Sequence, residues 1–210
     1  MEYDVNYFIE ALERLNFKMI NHEIEKPLQI YVIGGFCMML HGLREATIDI
    51  DSYLLDRENG FTHLKSLIDE VGVEIGNPEW LNMDIENLDT IPSLSSLLKV
   101  ADSFKEERKI GCITLYVAQL KTILLTKILA AMDERDNYFK DIQDILSIIS
   151  RTGFSMTLIN NLNEFSECSF DVLSTLLSIL FEHKYITEAE LTEYYNAIKL
   201  LDDDNIMMKR

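Results

Sequence analysis

A glycine pair and an acidic pair lie close together near the start of the chain. Gly34 and Gly35 directly follow the apolar run at residues 30–33, and Asp49 and Asp51 come soon after them. Glycines at the end of a buried strand let the backbone approach a phosphate, and a helix that begins there points its amides at the same group. Two carboxylates one residue apart on a strand share a face and can share a metal ion. Together the two pairs predict a nucleotide-handling site, which neither indicates alone.

The acidic pair is informative only in its context. Asp and Glu make up 36 of the 210 residues, so two acids spaced by one residue recur by chance. Residues 47–54, however, alternate apolar and polar side chains around Asp49 and Asp51, which is the pattern of a half-buried strand. Two neighbouring carboxylates repel each other unless a cation lies between them. The strand therefore predicts a Mg²⁺ site, with Mn²⁺ as the alternative ion.

The charge balance limits the classes of partner. Lys and Arg number only 19, and the net charge is −17, whereas broad contact with a nucleic-acid backbone needs clustered basic residues. We therefore expect no extensive nucleic-acid binding, but a small acidic ligand held through a metal, or a basic protein partner, is compatible with the charge. No apolar run reaches the roughly 18 residues of a membrane span. The acidic N-terminus is unlike a signal peptide, and three scattered cysteines suggest neither disulfides nor zinc. We expect a cytoplasmic protein without membrane association.

The hydrophobic pattern predicts an α+β fold. Strands are expected at residues 28–33, 47–54, 73–75 and 109–117, and helices at 4–15, 36–42, 61–71, 118–132 and 138–149, with a loop and short helix over 76–97. From residue 152 onward the pattern is helical only, with Ser155 and Ser169 as expected N-caps and a capping box at Thr187 and Glu190. We predict a first domain over residues 1–150 and a C-terminal helical extension over 151–210, with the boundary near Gly153.

Three charged residues in the later helices are candidate site residues. Lys127 falls on the apolar stripe of the helix at 118–132. Its stem either lies buried with the amine in water, or the amine points at a phosphate or an acidic partner. Asp141 and Asp144 share one face of the next helix. They form a solvated edge, an ion pair with Arg135 or Lys140, or part of a catalytic site.

The stretch Ile33-Gly34-Gly35-Phe36 through Asp49-Ile50-Asp51 resembles the glycine pair, helix and acidic strand of the nucleotidyltransferase superfamily with the DNA-polymerase-β-like fold. It is most similar to small bacterial nucleotidyltransferase-like proteins, including abortive-infection toxins of toxin–antitoxin systems. In those proteins an arginine and a threonine precede the acidic pair, as Arg44 and Thr47 do here. Trp80-Leu81-Asn82 and the helices around residues 125–130 and 135–145 are similar to further segments, so the resemblance covers about residues 28–150.

The resemblance implies a small mixed sheet with flanking helices and assigns a role to each candidate. Asp49 and Asp51 would bind Mg²⁺ and act in catalysis together with Lys127, which would face the nucleotide or its phosphates. The other implied nucleotide-binding residues are Gly34, Gly35, Arg44, Thr47, Asp141 and Asp144. Two departures stand out, because Ile48 occupies a position that is basic in many relatives, and the usual third carboxylate has only Glu74 and Asp84 as candidates.

The function implied is transfer of a nucleoside monophosphate from an NTP to an acceptor hydroxyl on a tRNA, a protein or a small molecule. The chain could then be the toxin of a toxin–antitoxin pair, with an antitoxin as its protein partner. An RNA acceptor would need a local basic patch, for which Arg44, Lys105, Arg108 and Lys109 are the candidates. Two alternatives stay open at this point. One is a catalytically silent binding or regulatory module of the same fold, and the other is an aminoglycoside-type nucleotidyltransferase that acts on small molecules.

Overall fold

The structure, a computed structural model, describes residues 1–24, 26–54, 61–83, 91–133 and 138–208. Asp84 and Arg135, both named above as candidates, lie outside these residues. The chain divides into two compact units. The first comprises Met1–Asp89 and Asp102–Gln119, and the second comprises Thr90–Ala101 and Leu120–Arg210.

The first unit is built on a mixed five-stranded sheet. Its elements are α1 (Val5–Asn21), β1 (Leu28–Val32), α2 (Gly34–Leu40), β2 (Ile50–Leu54), α3 (Phe61–Ile75), β3 (Leu81–Asn82), β4 (Phe104–Ile110) and β5 (Ile113–Ala118). The strand order is β3-β2-β1-β5-β4. Strand β1 runs antiparallel to β2 and parallel to β5, β3 runs parallel to β2, and β4 runs antiparallel to β5. The predicted α+β class is therefore confirmed.

Helix α1 and the turn after β1 fix the part of this unit that carries the candidate site. Asp4 caps α1 by accepting a hydrogen bond from the Tyr7 amide at 3.0 Å. The apolar face of α1 is buried, and the ring of Phe8 packs edge-on against Phe36 of α2. Helix α2 in turn packs on β2. The short connection from β1 into α2 is thus held between α1 and β2.

Two strand predictions in the first unit were wrong. Residues 73–75 continue helix α3, which ends only at Gly76, where φ is +73°. The helix continues through Gly72, where a Cβ atom would lie 3.0 Å from both the Asn77 carbonyl oxygen and the Pro78 Cα. The single strand expected at residues 109–117 is a hairpin of β4 and β5, which turns at Gly111 with φ +59°. The apolar residues of 109–117 are evenly spaced on both sides of the two-residue turn, so the pattern alone predicted a single strand.

The second unit is helical in the residues that the structure describes. Its elements are α4 (Leu94–Leu97), α5 (Leu120–Met132), α6 (Tyr138–Thr152), α7 (Met156–Leu162), α8 (Phe170–Glu182) and α9 (Glu188–Met208). The expected N-caps Ser155 and Ser169 and the capping box of Thr187 with Glu190 are confirmed. Helix α5 packs against α6, α7 and α8, so the boundary predicted near Gly153 falls inside this unit. None of the helices described in either unit is long and apolar enough to cross a membrane.

Candidate functional site

Gly34 forms the turn between β1 and α2 in direct contact with Asp51. Its φ is +66°, a left-handed conformation that favours glycine. A Cβ atom built at Gly34 would lie 2.9 Å from both Cβ and Cγ of Asp51 and closer still to its Oδ2. The Ile33 amide donates to the Asp51 carbonyl at 2.9 Å, which ties the turn to β2. The position therefore needs glycine for two reasons, its conformation and the absence of a side chain.

Gly35 is in similarly close contact with the other residues predicted for nucleotide binding. A Cβ atom there would collide with the Thr47 hydroxyl and would lie 2.8 Å from a guanidinium nitrogen of Arg44. Thr47 is buried, and its backbone forms a two-way bridge to Tyr3 with hydrogen bonds of 2.7 and 3.0 Å. The structure thus brings together five of the predicted site residues at one turn, namely Gly34, Gly35, Arg44, Thr47 and Asp51.

Asp49 and Asp51 flank the start of β2. Asp49 lies one residue before the strand, whereas the sequence pattern predicted it inside the strand, and both side chains are half-buried. The backbone next to Asp49 is held on both sides, because Ile48 carbonyl accepts from the Asn77 amide group at 2.8 Å and the Ile50 amide donates to the Trp80 carbonyl at 2.8 Å. These bonds fix the position of Asp49 even though it lies outside the regular strand.

The donor set at this turn suits a hard cation that arrives with a ligand. Glu74, one candidate for a third carboxylate, forms ion pairs with Lys18 at 2.8 Å and with Arg14 at 3.9 Å. Within the described residues, no three or more Asp, Glu, His or Cys side chains are grouped to hold a metal. Mg²⁺ needs only one or two carboxylates when phosphate oxygens and water complete its shell. Asp49 and Asp51 could supply those one or two carboxylates.

Lys127, Asp141 and Asp144 form a buried ion triad in the second unit. The Lys127 amine lies 2.6 Å from Oδ1 of Asp141 and 2.9 Å from Oδ2 of Asp144, and the lysine side chain is only 14% exposed. Burial lowers the pKa of Lys127, but the negative charges of Asp144 and Asp141 outweigh that effect and raise the pKa above its usual range. Lys127 therefore has the acidic partners that one alternative predicted, and the solvated edge considered for the aspartates is wrong. Contact of the triad with a nucleotide stays a prediction.

Sequence reasoning missed the residue that holds Asp51. Asn82 of β3 pairs in register with Asp51, and its side-chain amide donates to Asp51 Oδ1 at 3.1 Å. The segment Trp80-Leu81-Asn82 was recognised as a similarity, but a two-residue strand gives no periodic signal from which a register could be read. Ile48, at the position where the family resemblance implies a basic residue, is 47% exposed.

The residues that meet at the Gly34-Gly35 turn form the candidate site of the first unit. They are held by hydrogen bonds at Ile48 and Ile50, on either side of Asp49, and by the Asn82 amide. No protein-family model, curated protein or solved structure matches the chain.

Proposed function

We propose that the chain is a Mg²⁺-dependent nucleotidyltransferase with a DNA-polymerase-β-like fold, which transfers a nucleoside monophosphate from an NTP to an acceptor hydroxyl. The observation that carries the proposal is the close packing of Gly34 and Gly35 against Asp51, Thr47 and Arg44. The mixed sheet supports it as well, because α2 connects the antiparallel strands β1 and β2 and so brings the glycine turn beside the acidic pair.

The two glycines, Arg44 and the two aspartates have distinct tasks in this proposal. The two glycines leave the backbone open to the phosphates of the nucleotide. The Arg44 guanidinium, next to Gly35, supplies a positive charge for a phosphate oxygen. Asp49 and Asp51 would hold Mg²⁺, which when bound neutralises the triphosphate charge and polarises the phosphorus that is attacked.

The rate acceleration would come from positioning and from charges fixed in advance. The hydrogen bonds at the Ile48 carbonyl and the Ile50 amide set the position of Asp49, and the bond from the Ile33 amide sets the turn against Asp51. Groups held in this way need no reorganisation during the reaction. The contribution of the protein is therefore a rigid frame that accepts a metal–nucleotide complex.

The surface charges favour a protein or small-molecule acceptor over RNA. Of the candidate basic patch, Lys105, Arg108 and Lys109 are exposed on β4, but Glu106 and Glu107 lie between Lys105 and Arg108, and Lys109 pairs with Glu106 at 3.6 Å. A mixed-sign edge strand attracts a phosphate backbone weakly and also protects the sheet edge from pairing. The form of the proposal that suits this charge pattern is a cytoplasmic toxin. It would modify a protein or a small molecule and would be bound by an antitoxin.

A catalytically silent module of the same fold is the second candidate. It is favoured by the amide of Asn82 opposite Asp51 and by the engagement of Glu74 with α1, since both positions could have supplied a further carboxylate. In that case the turn would bind a nucleotide or a protein partner without chemistry. The two candidates differ in one measurable property, which is turnover.

The test is release of pyrophosphate and transfer of label from an α-labelled NTP with Mg²⁺, with the RNA, protein and small-molecule fractions of a cell extract as acceptors. We expect label in one fraction with the wild type and about a hundredfold loss with Asp51→Asn, because a charged group at the reacting centre is removed. The matched control is Asp69→Asn, an exposed aspartate of α3 that pairs with Lys65, and it should leave transfer unchanged. No transfer by the wild type to any fraction would favour the silent module. Equal transfer by wild type and Asp51→Asn would place the chemistry elsewhere.

A further inference from the structure

Asn82 fixes one of the two carboxylate oxygens of Asp51. Strand β3 consists of Leu81 and Asn82 alone, and parallel pairing sets Asn82 beside Asp51. The Asn82 Nδ2 donates to Asp51 Oδ1 at 3.1 Å. The amide must present its N–H side here, because its oxygen would be repelled by an ionised carboxylate.

The second oxygen of Asp51 lies against the glycine turn. Of the Asp51 atoms, Oδ2 would lie nearest to a Cβ atom at Gly34. The terminal torsion of an aspartate is broad, so a carboxylate with no fixed oxygen samples many orientations. With Oδ1 held by Asn82, the orientation of Oδ2 toward Gly34 is defined.

Asn82 is itself held by buried neighbours. The Trp80 side chain is fully buried, and its ring nitrogen donates to the Ile68 carbonyl at 3.1 Å. Leu81 is buried, and the Ser52 hydroxyl donates to the Asn82 carbonyl at 3.3 Å. These contacts anchor the short strand, so the amide of Asn82 reaches Asp51 from a rigid support.

We propose that Asn82 is a positioning residue, which orients Asp51 so that Oδ2 meets a divalent cation carried in by the nucleotide. This inference rests on the proposed function, since it assigns Asp51 to the metal. It also gives the Asn82 amide a role beside the acidic pair. The amide donates a hydrogen bond that a third carboxylate could not, and it adds no negative charge beside Asp51.

The test uses Mn²⁺ as the probe ion, with binding followed by electron paramagnetic resonance in the presence and absence of a non-hydrolysable NTP analogue. We expect Asn82→Ala to weaken Mn²⁺ binding in the presence of the analogue by about tenfold, the usual size of the effect when a group that orients a metal ligand is lost. The matched control is Ser52→Ala, which removes a different side-chain hydrogen bond between β2 and β3 and leaves the bond to Asp51 in place. It should bind Mn²⁺ as the wild type does.

The outcomes separate the inference from the proposed function. If Asn82→Ala and Ser52→Ala weaken binding equally, Asn82 has only a structural role and the inference is overturned. Unchanged binding in Asn82→Ala, with normal binding by the wild type, also overturns the inference but leaves the proposed function intact. If the wild type itself binds no Mn²⁺ with the analogue, both fail together. Should Asn82→Ala not fold, Asn82→Leu, which keeps the volume without the donor, gives the same comparison.

Discussion

Replacement of Lys127 by Met is expected to lower the free energy of unfolding by about 4 kcal/mol. The substitution keeps most of the apolar stem but removes the positive charge from Asp141 and Asp144, whose side chains are each 8% exposed. Two buried carboxylates close together, without the charge of Lys127, repel each other and have lost much of their hydration. Chemical denaturation of wild type and variant, followed by circular dichroism, measures the difference.

Two further variants identify the cause of that loss. The triple variant Lys127→Met/Asp141→Asn/Asp144→Asn removes all three charges and should recover most of the lost stability, because no buried charge is then left uncompensated. Lys121→Met breaks the pair of Lys121 with Glu164, which is 49% exposed, and should cost less than about 1 kcal/mol. If the triple variant were no more stable than Lys127→Met, lost packing rather than lost charge would be responsible.

The stabilisation by Lys127 should weaken at the alkaline end of the pH range. The folded-state pKa of the amine is raised above its ordinary value of 10.5. A raised pKa means that the folded chain holds the proton more tightly than the unfolded chain, so the stabilisation is complete below pH 10.5. It is lost as the pH rises through the folded-state pKa. The stability difference between wild type and Lys127→Met should therefore shrink above pH 10.5.

Replacement of Gly34 by Ala is expected to cost about 3 kcal/mol of stability. Alanine at φ +66° is strained, and its methyl group would overlap the Asp51 carboxylate. The matched control is Gly76→Ala, which has φ +73° and nothing within 4 Å of the added Cβ, so that it has only the conformational cost of about 1–2 kcal/mol. Thermal denaturation measures the loss of stability in each variant, and the difference between the two losses is the cost of the contact with Asp51.

The same variant connects stability to the proposed site. A methyl group at Gly34 displaces the Asp51 carboxylate from the turn, so nucleotide binding should fall together with stability. Gly76→Ala should leave nucleotide binding unchanged. An equal loss of stability in the two variants would mean that Gly34 is required only for its backbone conformation, and that the close approach to Asp51 has no energetic weight.

The local part of the site could be predicted from the sequence. A strand closed by Gly34 and Gly35 follows from an apolar run ending in glycines, and an acidic strand follows from the alternation around Asp51. These signals are carried by neighbouring residues, so one sequence is enough to read them. The contact of Gly35 with Arg44 and Thr47 agrees with the grouping that the family resemblance implied.

The parts that failed depend on partners distant in sequence. The hairpin at Gly111 is stabilised by Asn16 of α1, whose side-chain oxygen accepts from the Cys112 amide at 2.9 Å, and no local pattern reveals this bond. The pairing of Asn82 with Asp51 depends on a strand register, which cannot be predicted from the sequence of a two-residue strand. The charge of Lys127 could be recognised as unusual on an apolar stripe, but its partners lie on the following helix.

Binding of a non-hydrolysable NTP analogue with Mg²⁺, measured by isothermal titration calorimetry, tests the assignment of the Gly34-Gly35 turn most directly. The wild type should bind the analogue only when Mg²⁺ is present. The variant Asp49→Asn/Asp51→Asn should bind at least about tenfold more weakly, which corresponds to about 1.4 kcal/mol, because its two neutral side chains no longer attract the cation. Equal affinity in the two proteins, or binding by the wild type that is the same with and without Mg²⁺, would contradict the assignment.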